Sequence, residues 1–188
     1  MAVPSTRRRV LDAAAELLTR DGLDVSMEAI AQHAGVTRMT VYRQLGAREQ
    51  VLVAVLLDQS AQIAAALRAI LDDDSRPFAD RVVDVIVLVV LTVRQSPVLS
   101  FFVQGVTPTQ IGSLDHEDRF LRGVWDLLLP YFEAADAAGD LRSPAHPTLD
   151  WTLRQILLQL VVEGTTTSTD AGLRAELTRF FVPSITPG

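Results

Sequence analysis

Cysteine is absent from the 188-residue chain. That excludes disulfides, thiolate metal sites and cysteine nucleophiles, and it fits a cytoplasmic protein. Long apolar runs are absent too: the longest strongly apolar stretch, Val85–Leu91 (VIVLVVL), falls far short of the ~18 residues that suggest a membrane span. The N-terminal arginines lack the apolar core that follows in a signal peptide, so no membrane association is expected. Histidine is scarce, and His33, His116 and His146 stand alone, with no pair at the spacing of a helical metal site. The run DHED at Asp115–Asp118 invites a metal reading, but an acidic, solvated helix start accounts for it more simply. There is no phosphate-cradling glycine loop and no nucleophile elbow. No catalytic residue, metal or cofactor is expected, and an enzyme is not the reading the chain favours. Lysine is missing as well, all 17 basic residues being arginine, which by itself discriminates nothing.

What is present is a hydrophobic content of 48%, enough to bury a sizeable core in one or two domains. The formal charge of -6 hides an asymmetry. Residues 1–50 carry seven arginines (7, 8, 9, 20, 38, 43, 48) against six acids (12, 16, 21, 24, 28, 49), a balance of +1, which leaves -7 for the remainder. A head that tolerates a polyanion and a body that does not fit this split.

The apolar pattern is helical nearly throughout. In Thr6–Arg20, Val10, Ala14, Leu17 and Leu18 recur at helical spacing, and Gly22 follows as a stop. Ser26 can cap a second helix with Met27, Ile30, Ala31 and Ala34 three and four apart before Gly35. Thr37 can cap a third, ending near Leu45 and Gly46. Two helices joined by so short a connection form a helix-turn-helix. At 100° per residue, Val41 and Leu45 point toward the first two helices while Met39 and Arg43 point away, with Thr40 and Tyr42 beside them. A helix that only had to be solvated would more simply carry Glu and Lys. Arginine, threonine, methionine and tyrosine instead offer base-edge hydrogen bonds, methyl contacts and phosphate contacts.

The run RRRVLDAAAELLTRDGLDVSMEAIAQHAGVTRMTVYRQLGAREQVL, Arg7–Leu52, resembles the DNA-binding head of TetR-type transcriptional repressors. The likeness rests on Ala14 and Ala15, Gly22, Ile30 with Ala31, Ala34-Gly35-Val36-Thr37 and Tyr42, and it covers about a quarter of the chain. Leu45 stands where that family usually has an aromatic and Arg48 where it usually has lysine. The resemblance and the side-chain chemistry together assign roles. Arg38, Met39 and Thr40, in the first turn of the third helix, are candidates for reading base edges in the major groove, with Arg43 a further one. Ser26, Thr37, Tyr42 and Arg48 are candidates for phosphates, beside the amide ends of the second and fourth helices. Ser26 and Thr37 are equally well explained as caps. Arg7, Arg8 and Arg9 read either as an arm to DNA or as a solvated terminus.

Beyond residue 46 no sharp motif occurs. Arg48–Leu71 reads as a long helix, and DDDS at Asp72–Ser75 breaks it before Pro77. Phe78–Gln95 is valine-rich, so strand competes with helix, but its length without a turn signal favours a helix buried on all sides. Pro97 opens a short helix with Phe101 and Phe102, Gly105–Gly112 is a loop, and Leu114–Ala138 is an amphipathic helix carrying Trp125. Thr148–Glu163 is apolar around most of its circumference, more than one core-facing stripe requires, and Leu173, Leu177, Phe180 and Phe181 mark a shorter helix behind the TTTST loop. These last two helices read as an association surface, for which Trp151, Leu158, Val162, Leu177 and Phe180 are the candidates. The family resemblance implies a four-helix interface between two chains. Val89, Val93, Phe101, Phe102 and Trp125 are candidates to line a pocket for an apolar small molecule, against the simpler reading that they are packed core.

The expectation is therefore an all-α protein of about nine helices. Residues 1–46 form a three-helix helix-turn-helix DNA-binding domain, and residues 47–188 a ligand-binding and dimerisation domain. The function expected is that of a cytoplasmic homodimeric regulator, a repressor released from a palindromic double-stranded DNA operator by a small-molecule effector. An architectural DNA-binding protein without effector is the alternative; it would show no ligand response and little preference among sequences.

Overall fold

The structure is a computed structural model, and it describes residues 4–104, 119–162 and 169–187. Among the described residues there are nine helices and no strand: α1 (Thr6–Asp21), α2 (Met27–Ala34), α3 (Arg38–Leu45), α4 (Arg48–Leu71), α5 (Phe78–Gln95), α6 (Pro97–Gln104), α7 (Arg119–Ala138), α8 (Ala145–Val161) and α9. The last begins as Asp170–Glu176 and runs through a π-helical turn, Leu177–Phe181, into Val182–Ile185. The all-α expectation holds, and α5 is a helix, with only Asp80 and Gln95 exposed along it. Helix α8 starts three residues before the expected Thr148. Pro144 is its N-cap and Pro147 lies in the first turn, where a missing N–H breaks no helical bond. The Gly105–Gly112 loop, Leu114, Asp115–Asp118 and Glu163 lie outside the described residues.

The chain packs as two units, residues 1–62 with 94–102, and residues 63–93 with 103–188. In the first, α1 packs on α2 and α3, and α2 on α3. Val10, Ala14, Leu17 and Leu18 of α1, Ile30 and Ala31 of α2, and Val41 and Leu45 of α3 make one core. Val51 and Val55 of α4 and Val98 of α6 join it. The unit therefore extends beyond residue 46, because a three-helix head of this size closes its core only with the first turns of the next helix.

In the second unit α7 packs along α8, around a core of Phe78, Val82, Ile86 and Val90 from α5, Leu128 and Phe132 from α7, Leu149, Leu153 and Ile156 from α8, and Leu173, Leu177, Phe181 and Ile185 from α9. Phe78 and Phe132 meet edge to face, with centroids 5.0 Å apart at 88°, the arrangement ring quadrupoles favour. Buried polar groups are mostly matched locally, the Nε of Arg81 being an exception without a hydrogen-bond partner among the described residues. Thr148 and Thr152 hydroxyls donate to Pro144 and Thr148 carbonyls of their own helix, and the Gln159 amide donates to Glu176 of α9 at 3.1 Å. The buried Arg81 guanidinium donates to the Leu71 carbonyl at the end of α4 and to Asp74 at 2.8 Å. It thereby pins the DDDS break to α5.

Helix α4 is long and apolar enough, by length and composition, to cross a membrane. Its fully buried residues are committed inside the protein: Val51 and Val55 to the first core, Leu67 and Leu71 to the second.

Asp84 of α5, largely buried, sits between two cations: Arg76, at 2.5 Å, and Arg174 of α9, which is itself paired with Asp170. Partial burial pushes the Asp84 carboxyl up, but the hydrogen bonds from Arg174 and Arg76 outweigh it and hold the carboxyl below its ordinary value. A carboxyl depressed in the folded state adds stability that is present above the unfolded value, about 4. That contribution is lost as pH falls through the lower folded value. We expect the melting temperature to fall below about pH 4. Asp84→Asn should lower it at neutral pH and flatten this acid limb, as read by circular dichroism melts across pH.

Candidate nucleic-acid interface

The turn between α2 and α3 follows from three residues. Gly35 adopts φ 64° and ψ 40°, and its N–H and that of Val36 close on Gln32 and Ala31 carbonyls. This left-handed stop is one that glycine reaches without a Cβ clash. Thr37 then starts α3: its Oγ1 accepts the Thr40 N–H at 3.2 Å and shares a hydrogen bond with the Thr40 hydroxyl at 3.0 Å. Ser26 caps α2 in the same way, accepting from the Ala29 N–H at 3.1 Å. The capping half of the two readings for Ser26 and Thr37 is thus present in the geometry.

Two side chains fasten α3, Val41 at 0% and Leu45 at 7% exposure. Their burial contributes about 1.5–3 kcal/mol each. The opposite face is open: Met39 is 73% exposed, Arg38, Tyr42 and Arg43 are exposed, and Thr40 is half-buried. Arg38, Met39, Thr40, Tyr42 and Arg43 thus share one outward surface on one helix. Arg38 donates from Nη2 to the Tyr42 hydroxyl at 3.2 Å, and its Cζ lies 5.5 Å from the Tyr42 ring centroid.

The seven head arginines divide sharply. Arg7 donates to the Gln44 carbonyl at the end of α3, and Arg9 to the Ala34 carbonyl at the end of α2, at 3.0 Å. Cations at helix C-termini meet unpaired carbonyls and the negative end of the dipole. Arg8 pairs with Asp12 and Asp58, and Arg20 with Asp21. The first three are exposed yet each engaged with the protein, and two of them clamp the helix-turn-helix onto α1. Arg48 donates to the Leu23 carbonyl at 2.5 Å and approaches Asp24 at 3.4 Å, which ties it to the α1–α2 connection while its side chain stays exposed. Arg43 has no hydrogen bond or ion pair among the described residues. Sequence reading missed Arg7 and Arg9 as clamps because the pairing of α1 with α2 and α3 decides which carbonyls they reach. It also missed Gln50, whose Oε1 accepts the Ala47 N–H at 2.8 Å and completes the start of α4. This contact needs a glycine at 46, where φ is 88° and a Cβ would meet Gln50 Oε1 at 1.8 Å. The reach-back of a Gln in the first turn was a legible signal.

The other candidate sets are less unified. Val93 is buried and Val89 half-buried on α5, Trp125 on α7 meets His146 at a tilt of 50° with centroids 5.7 Å apart, and Phe101 on α6 is exposed. The side chain of Phe102 lies outside the described residues. An open groove of about 870 Å³ lies in the first unit, lined by Leu11, Tyr42, Arg43, Leu45, Val53 and Leu57, among others. Trp151, Leu158 (50%), Val162 and Phe180 (68%) are exposed apolar side chains on α8 and α9. Leu177 is not: at 2% exposure it is core. Leu173, Leu177, Phe181 and Ile185, four apart, turn inward and leave Phe180 outside. Val161, not singled out from the sequence, is exposed with them.

A family model described as bacterial regulatory proteins, tetR family, matches residues 10–55. An uncharacterized HTH-type transcriptional regulator of Mycobacterium tuberculosis is 28% identical, covering 95% of this chain and 85% of its own length. Among solved structures, a regulator of the TetR/AcrR family from Thermobifida fusca superposes with a TM-score of 0.70 at 17% identity, covering 94% of this chain and 96% of the other. The superantigen PfiT superposes with 0.68 at 20% identity, each chain fully covered. A shared fold alone does not carry a function. The match over residues 10–55 identifies the head as a TetR-type helix-turn-helix DNA-binding region, and the outward face of α3 is the surface it offers to DNA.

Proposed function

We propose that the protein is a homodimeric repressor in the cytoplasm. Residues 1–46 read a palindromic operator, and residues 47–188 hold the dimer and bind an apolar small molecule that weakens DNA binding. The observation that carries the DNA half is α3 itself: a helix anchored by Val41 and Leu45 alone, with Arg38, Met39, Thr40, Tyr42 and Arg43 turned outward. Regulators of this family bind DNA and small-molecule effectors and act as dimers, which supports the remaining parts. Arg38 and Thr40, at the start of the helix, are assigned to base edges, with Met39 against a thymine methyl. Tyr42 and the capped starts of α2 and α4, at Ser26 and Ala47, are assigned to phosphates. Arg48 serves this surface by bracing Leu23 rather than by direct contact.

The test is selection of bound DNA from a random pool, followed by variants. An inverted repeat should emerge, with half-sites about one helical turn or somewhat more apart. Arg38→Ala and Thr40→Ala should each weaken operator binding by about 5- to 150-fold while leaving random DNA nearly unchanged. Equal losses on both DNAs would remove these two residues as readers. Because five of the seven head arginines are engaged with carbonyls or carboxylates of the protein and Arg38 with the Tyr42 hydroxyl, the salt dependence should rest on few cations. Arg43→Ala should reduce the slope of log affinity against log salt by about 2 per dimer.

The exposed apolar residues of α8 and α9 support dimerisation. Leu158→Glu or Phe180→Glu should convert a dimer at micromolar concentration into a monomer by light scattering, since a buried unpaired charge costs about 3–5 kcal/mol. Leu177→Glu should instead unfold the chain. The unaltered protein appearing as a monomer would overturn the assembly.

An effector releases DNA only by binding the form without operator more tightly, so operator must weaken ligand binding by the same factor. Titration of apolar ligands against tryptophan fluorescence, with and without operator, should give a lower affinity in its presence. Identical affinities would leave a ligand site that does not regulate.

A further inference from the structure

We infer that Tyr42 is a positioning residue for base readout: it holds Arg38 in place, so that phosphate anchoring and base recognition act as one unit. The inference rests on the reading of α3 as the helix that enters the major groove. Arg38 and Tyr42 are four residues apart and so share one face of α3. The guanidinium is engaged twice, by the hydrogen bond from Nη2 to the phenolic oxygen at 3.2 Å and by the ring, whose centroid lies 5.5 Å from Cζ. Among the described residues, Tyr42 is its one hydrogen-bond partner. Tyr42 lies along the same open groove as Leu11, Leu45 and Val53, with its side chain exposed.

A free arginine side chain samples many rotamers, and fixing it on a base edge costs that freedom. A guanidinium already held in a planar orientation loses less on binding. The phenolic oxygen also has two functions. It accepts from Arg38, and its own proton has no acceptor among the described residues, so it remains available to a phosphate oxygen. Donation to a phosphate raises the electron density on that oxygen and strengthens the bond it accepts from Arg38. A phosphate seated in register therefore tightens the base reader, and a misplaced one does not. Tyrosine at 42 then contributes to specificity without touching a base, which a pure phosphate contact does not do.

The test uses the full-length protein and the selected operator, each half-site base varied singly, with random DNA as reference. The proteins are the unaltered chain, Arg38→Ala, Tyr42→Phe, Tyr42→Leu and the double variant Arg38→Ala/Tyr42→Phe. Tyr42→Phe should lower the ratio of operator to random affinity by about three- to tenfold, part of the loss a deleted base contact brings. The loss should fall at the base pair that Arg38→Ala makes tolerant. Tyr42→Leu, which removes the ring as well, should lower the ratio further. In the Arg38→Ala background, Tyr42→Phe should weaken both DNAs alike and leave the ratio where it was. Without DNA, the Arg38 Nε–H resonance should show increased mobility in Tyr42→Phe while the melting temperature is unchanged.

A ratio that Tyr42→Phe leaves unchanged, beside one that Arg38→Ala lowers, overturns the coupling and leaves Tyr42 a phosphate contact. Losses in ratio that multiply in the double variant overturn it equally. A ratio that Arg38→Ala itself leaves unchanged removes Arg38 as a reader, and the coupling with it.

Discussion

The burial of Val41 and Leu45 is the constraint on which the interface depends. An eight-residue helix does not hold together by propensity, since isolated helices need about 12–15 residues to be even marginally stable in water. With only two side chains committed to the core, α3 must draw the rest of its stability from its ends. The Thr37 cap satisfies the start and Gly46 the finish, its N–H closing on the Tyr42 carbonyl. Arg7 adds a cation to the last-turn carbonyl of Gln44. Chemistry that would ordinarily add to the core is displaced to the termini, and this leaves the remaining face free for residues chosen for contact with DNA.

The electrostatics of the head follow from the same economy. Counting arginines gives a weakly basic head, but most of those charges are already answered by carbonyls or carboxylates of the head itself. The cations at the ends of α2 and α3 meet helix-end carbonyls and tie α1 to both helices. Among the described residues Arg43 makes no such contact, and Arg38 bonds only Tyr42 on its own helix. A net charge of +1 was a poor guide to the interface because it summed groups with opposite employments.

What could be read from the sequence was local. Ser26, Thr37, Gly35 and Gly46 announce helix ends through chemistry confined to a few residues, and the three-and-four spacing of Val41 with Leu45 states which face of α3 turns inward. The Arg38–Tyr42 pair was legible in principle, being four apart on one helix. What was not legible needed the packing: which carbonyl Arg7 or Arg9 reaches, and where Arg48 turns. Leu177 and Phe180 show the limit most clearly. Both are apolar, three apart on one helix, and either can be core; only the inward row of Leu173, Leu177, Phe181 and Ile185 decides between them. The candidate pocket residues meet the same limit, since valine and aromatic stripes look alike in sequence whether they face a neighbour or a ligand.

Helix α4 extends the argument from the head to the body. Its buried residues lie at the two ends, Val51 and Val55 near one and Leu67 and Leu71 near the other, and no residue between Val55 and Leu67 is fully buried. Between them only half-buried side chains such as Leu56 and Ile63 pack against the cores, so the helix must draw more of its stability from itself. The sequence there supplies what that requires: Ala61, Ala64, Ala65 and Ala66, with leucine and glutamine beside them, all strong helix formers. Asp58 and Gln62, four apart, add a side-chain bond at 2.7 Å. Tertiary packing stabilises most helices in proteins, so an alanine-rich stretch where packing is thin supplies from intrinsic propensity part of what burial does not.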